Sequence, residues 1–284
     1  MPATLGLFLA SVSGLPAQVS LELQLDQEQF LRNEALPVKV RIGNLSGQIL
    51  RFGEETNWLT FSVQSIDGSI VSKRAEVQVG GEFTVESATA ATKWVDLTPA
   101  FNLGNAGRYR VTATAKLRNW GREVTSKPKS FDIVNGARLW EQEFGVPTTG
   151  GEPEVRKYTL QQATGLQHMR LYVRLTDASD TRVFRVVPLG QVVSFAHPEA
   201  RLDRASNLHV LFQSGARLFD YCVISPAGEI TGRQTHEFTN TRPTLRADDE
   251  GRPMVVGGAR RTAPSDLPAS SAGAVNNDVK RSAP

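Results

Sequence analysis

The sequence predicts an all-β protein of two sheet-built domains, and three observations predict it. Apolar and polar residues alternate with a period of two in run after run, as in Ser20-Leu21-Glu22-Leu23-Gln24-Leu25 and Val38-Lys39-Val40-Arg41-Ile42. Turn signals such as Ile66-Asp67-Gly68-Ser69 and Gly80-Gly81 separate those runs at short intervals. Helical periodicity is missing between them, so the spacing argues for a sandwich of antiparallel strands. At 284 residues the chain suits two domains, each long enough to bury a core.

The most legible stretch is 208–229, LHVLFQSGARLFDYCVISPAGE. It reads as two apolar strands joined at Gln213-Ser214-Gly215-Ala216, with a second turn at Ser225-Pro226-Ala227-Gly228. A two-residue loop centred on Ser214-Gly215 would set Phe212 opposite Arg217, Val210 opposite Phe219 and His209 opposite Asp220. Leu208, Val210, Phe219 and Tyr221 would then share one face.

Composition excludes several function classes. The net charge of +3 comes from Lys and Arg scattered along strands and turns, which predicts no nucleic-acid partner. A single cysteine, Cys222, excludes an internal disulfide, and its place inside an apolar strand reads as a small buried core residue. No stretch is long and apolar enough for a transmembrane segment.

The first residues, MPATLGLFLASVSGLPAQVS, carry an apolar run followed by small residues. They resemble a secretory signal peptide over 1–17, cleaved after Ala17, although a basic n-region is missing, so that either the true start lies upstream or the stretch is a first β-strand. The resemblance implies a periplasmic or secreted protein.

Strands are then expected at 48–52, 58–66, 70–71, 76–79 and 93–97. Leu97 precedes Gly107-Arg108-Tyr109-Arg110-Val111, and a last strand follows from Pro128 to Ile133. Together these resemble the closing strands of an immunoglobulin-like β-sandwich over 18–135, with Tyr109 placed like the tyrosine of a tyrosine corner. The cysteine pair of antibody domains is absent, which sets that subclass aside. Residues 136–153 read as a linker whose aromatic patch, Leu139-Trp140-Glu141-Gln142-Glu143-Phe144, docks one domain on the next or offers a partner site.

In 154–261, Arg182-Val183-Phe184 matches Arg217-Leu218-Phe219, and PEARLD from Pro198 matches PTLRAD from Pro243. Each hexapeptide is followed by a polar turn and another strand, at offsets of about 35 to 45 residues. This resembles propeller-type β-repeats, in too small a number to close a ring, and implies a small propeller-like antiparallel meander. The segment 262–284 falls to Ala, Ser, Pro, Asn and Asp and reads as a disordered tail.

No catalytic set is legible. His168, His197, His209 and His236 lack the spacing of a metal site, and no metal or cofactor is expected. His209 and Asp220 are expected as a cross-strand structural pair. The carboxylates of Asp177, Asp180, Asp203, Asp248 and Asp249 fall at turns, where Asp is favoured for backbone reasons. Asn44-Leu45-Ser46 satisfies the glycosylation sequon. Binding is expected at Trp140, Phe144, Trp58 and Trp120, with Trp94 a further candidate. The expected function is non-catalytic, extracytoplasmic binding or envelope scaffolding, with a protein or cell-envelope partner. The alternative is a glycan-binding module or an accessory of an enzyme that degrades extracellular glycans.

Overall fold

The computed structural model describes residues 19–147, 151, 153–165, 168–193, 195 and 197–267. The expected signal segment 1–17 lies outside them, as does the expected tail beyond 267. Among the described residues every regular element is a β-strand apart from one 3-10 turn, Arg118–Trp120. The described chain divides into two compact units, the first made of 19–30 and Ala35–Ile133, the second of Leu31–Glu34 and everything from Val134 onward.

The first unit is built from β1 (Val19–Leu25), β2 (Gln29–Leu31), β3 (Pro37–Asn44), β4 (Leu50–Phe52), β5 (Leu59–Ser65), β6 (Phe83–Val85), β7 (Thr89–Asp96), β8 (Gly107–Leu117), β9 (Arg122–Thr125) and β10 (Lys129–Val134). One sheet runs β1-β3-β7, a second β2-β10-β8-β5 with β9 beside β8, and β4 and β6 pair separately. Alternation in sequence becomes alternation in burial. Along β8, Tyr109, Val111, Ala113, Ala115 and Leu117 are buried while Arg108 and Arg110 are exposed. On the other sheet Val38, Val40 and Ile42 point inward, and both sets join one hydrophobic core. Tyr109 stacks on Phe131 at 5.6 Å, and its hydroxyl donates to the Asn105 carbonyl at 2.8 Å. Tyr109→Phe leaves that acceptor unpaired, so a loss of about 1 kcal/mol is expected in urea denaturation.

Two expected strands do not form. Residues 70–71 and 76–79 pair with no ladder, although Val77 and Val79 are buried. The Val79 carbonyl instead accepts the Trp58 indole N–H at 2.9 Å. Period two marked which side chains turn inward there, and at Val79 the backbone found a side-chain partner in place of a neighbouring strand.

The second unit contains β11 (Ala137–Val146), β12 (Glu154–Thr164), β13 (Met169–Asp177), β14 (Val183–Gln191), β15 (Glu199–Leu202), β16 (Leu208–Gln213), β17 (Leu218–Ile224), β18 (Ile230–Glu237), β19 (Thr244–Ala247), β20 (Pro253–Val256) and β21 (Ala259–Arg261). Its sheets run β11-β12-β13-β14, β15-β16-β17-β18-β21 and β19-β20. Leu160, Leu171 and Val173 of the first meet Leu208, Val210 and Phe212 of the second in one core. The other side of the second sheet sets Leu211, Phe219 and Tyr221 against Leu245 and Val255 of the β19–β20 hairpin. The unit is thus three stacked layers, and β16 is covered on both faces.

The expected linker is a strand. β11 pairs with β12 from Ala137↔Gln162 to Val146↔Glu154, through a bulge between Arg138 and Trp140. Trp140, Phe144 and Val146 face the core while Glu141 and Glu143 face solvent. An outer strand tolerates that many charges, and the charges hid the alternation.

The repeated sequence grammar has a common physical origin. Asp203 Oδ1 accepts the N–H groups of Ala205 and Asn207 at 2.9 and 2.8 Å, and Asp248 Oδ1 accepts those of Glu250 and Arg252 at 3.0 and 2.8 Å. In each turn the Asp N–H returns to the carbonyl four residues on, at 3.0 Å. The third residue on is left-handed in both, Ser206 at φ +62° and Gly251 at φ +78°. Beyond 261, Ala263 and Asp266 close a further turn, and Leu267 bridges Arg233.

Candidate functional site

The hairpin centred on the 208–229 stretch forms, but three residues out of the expected register: His209 lies opposite Val223, where Asp220 was expected. The loop is longer than two residues, because both Ser214 and Gly215 donate to the Leu218 carbonyl, at 2.9 and 3.2 Å. An odd shift in a period-two element exchanges faces. Asp220 sits opposite Phe212, on the face that carries Val210 and Cys222, and His209 lies on the other. The expected His209–Asp220 pair therefore does not exist. Asp220 accepts instead from Thr235 Oγ1 at 3.3 Å, and burial raises its carboxyl above the usual range.

His209 is brought to different partners. Its Nδ1 lies 2.5 Å from the Tyr221 hydroxyl and its Nε2 3.2 Å from Asp203 Oδ2. Burial alone would raise Asp203, but hydrogen bonds from Asn207 and His209 outweigh it and hold the carboxylate below its ordinary value. Burial pushes the Tyr221 phenol up to about 12. An ionised Asp203 only accepts, so Nε2 donates to it, while Nδ1 bonds the hydroxyl of a phenol that keeps its proton. Tyr221, His209 and Asp203 thus form one hydrogen-bonded chain. Sequence reasoning missed it because Asp203 lies across the β15–β16 turn and Tyr221 depends on the true register.

This chain forms one wall of a cavity of about 510 Å3 that also takes in Gln234 and His236 of β18 and Pro253 and Val255 of β20. His236 is 8% exposed, and its Nε2 is buried without a hydrogen-bond partner. Burial, with the positive charge of Arg260, lowers its pKa below the ordinary 6.5 against the opposing pull of Asp266 and Asp220. The unfolded chain thus binds this proton more readily than the folded one. Stability is expected to be full above about pH 6.5 and to decline as pH falls through and below it, a loss that His236→Leu removes. Urea midpoints at pH 7.5 and 5.5 test this, and an unchanged pH slope in the variant refutes it.

The expected aromatic sites separate. Trp58 is 4% exposed, lies 5.2 and 5.5 Å from the Phe52 and Phe83 rings, and belongs to the first core. Phe144 is buried and stacks on Tyr158 at 4.3 Å. Neither presents a surface to a ligand. Trp140 and Trp120 are half-buried, the latter donating to Gln48 Oε1 at 3.3 Å. Trp94 is 54% exposed, with Lys39 Nζ 4.3 Å above its ring.

Other sequence features are absorbed by structure. Cys222 is fully buried, and burial pushes its thiol up to about 12. Asn44 of the sequon is fully buried and its amide donates to the carbonyls of Gln48 and Val85 at 2.7 and 2.8 Å, which leaves it no route to an attached glycan. His168 and His197 are exposed. Among the described residues no group of three or more His, Cys, Asp or Glu side chains converges to hold a metal ion, and no helix is long and apolar enough to cross a membrane. No protein family and no curated protein matches the chain.

Proposed function

We propose that this is a non-catalytic, extracytoplasmic binding or envelope-scaffolding protein, made of an immunoglobulin-like sandwich followed by a propeller-like meander. The Tyr109–Asn105 bond has the form of a tyrosine corner, in which the hydroxyl returns to backbone just upstream. Successive antiparallel sheets stacked face to face in the second unit support the meander reading. One observation carries the function. The cluster best equipped for chemistry, Tyr221–His209–Asp203, holds its phenol protonated and its carboxylate inside a turn, an arrangement suited to holding a shape.

The test combines location with capture. The full chain expressed in a bacterial host is expected in the periplasmic or secreted fraction, and purified protein is expected to retain envelope material. Recovery from the cytosol alone, with no retention, sinks the reading. A glycan-binding role is the second reading, favoured by the exposed indole of Trp94 on β7. A glycan array separates the two: sugar bound by the natural chain and lost in Trp94→Ala selects the second.

A further inference from the structure

The geometry points to a binding site in the second unit for a compact, uncharged molecule that presents a hydroxyl on an otherwise apolar body, seated between the β16–β17–β18 face and β20. This goes beyond the scaffolding reading and stands without it. The cavity of about 510 Å3 is within the range of small-molecule sites. Val223, Pro253 and Val255 supply apolar wall, so the body of the ligand is apolar.

Charge narrows the class. The carboxylate lining the cavity, Asp203, is already bonded by Asn207 and His209. His236 is kept neutral at pH 7 by burial, reinforced by Arg260. The two carboxylate oxygens of Asp203 already accept four bonds, from Ala205, Asn207 and His209, and among the described residues no Lys or Arg lines the cavity. An ionised ligand would find no open partner to bond there, and burying an unpaired charge is costly. The ligand is therefore uncharged.

The hydroxyl follows from His236. Its Nε2 is buried and unbonded, and a group in that state costs stability that a bound partner restores. A neutral imidazole nitrogen donates in one tautomer and accepts in the other, and a hydroxyl serves both. Gln234, beside it on β18, offers a second polar contact. Phenols and small cyclic alcohols share this chemistry.

The experiment is a titration of the full chain, carbon-13 labelled at histidine, with phenol, toluene, benzoate and benzylamine, read on the four imidazole signals. Phenol is expected to move the His236 signal saturably, toluene to bind about five- to tenfold more weakly, and the two ions not to bind. His236→Leu is expected to lose that same margin for phenol, and His236→Gln, which keeps a polar partner, to recover part of it. Should His236→Leu fail to fold, the phenol–toluene comparison on the natural chain and the glutamine variant still decide. No saturable shift up to about 10 mM phenol overturns the site. Equal binding of phenol and toluene, or tight binding of benzoate or benzylamine, overturns the ligand class while leaving the cavity a binding site.

Discussion

Trp58→Ala is expected to cost the protein about 3–5 kcal/mol, enough to unfold most of the first unit's margin. The indole is 4% exposed and packs against the stacked pair of Phe52 and Phe83 rings. Removing it leaves a cavity that these rings refill only in part, because each is held on its own short strand of the β4–β6 pair. It also strands the Val79 carbonyl, whose segment makes no ladder to fall back on. Trp58→Phe keeps the ring contacts and loses the N–H, so a smaller cost of about 1–2 kcal/mol is expected. Urea denaturation followed by circular dichroism measures both. A change within about 0.5 kcal/mol for the alanine variant, with loss of binding to any partner, would return Trp58 to the surface role its residue type first suggested.

That reversal shows where sequence reasoning reaches and where it stops. Alternation in β1, β3 and β8 was legible because one face is buried and the other solvated, so residue type and position say the same thing. Turns headed by Asp203 and Asp248 were legible because their carboxylates cap backbone within four residues. Trp58 was not, since an aromatic residue suits a core and a binding face equally well, and long-range packing decides between them. β11 was hidden by the charges an outer strand carries. The register of β16 on β17 turned on loop length: Ser214-Gly215 suggested the shortest loop, while bonds from both Ser214 and Gly215 to Leu218 make a longer one. The choice of Tyr221 over Asp220 as the partner of His209 inherits that difference. His209 meets Tyr221 only because the hairpin slipped by an odd number of residues, while Asp203 reaches it across the β15–β16 turn.

Leu211→Ala and Phe212→Ala are expected to cost about 2–5 and 3–5 kcal/mol respectively, although the two residues are neighbours pointing in opposite directions. Each is 1% exposed. Leu211 packs with Phe219, Tyr221 and Leu245 against the β19–β20 hairpin, and Phe212 packs with Val210, Leu171 and Val173 against the first sheet. A strand on the surface of a sandwich would give one large and one negligible loss, because its outer residue is solvated. A strand inside a stack gives two. The pair also reports which layer unfolds first. Loss of Leu211 loosens the hairpin and the wall of the His236 cavity, so the Val255 and Met254 amides are expected to exchange hydrogen faster at unchanged protection of β12 and β13. Loss of Phe212 opens the interface between the two larger sheets and is expected to speed exchange in β13 and β17 together. If either substitution changes stability by less than about 0.5 kcal/mol, β16 has a free face and the three-layer arrangement is wrong. The cavity between β18 and β20 would then have no second wall.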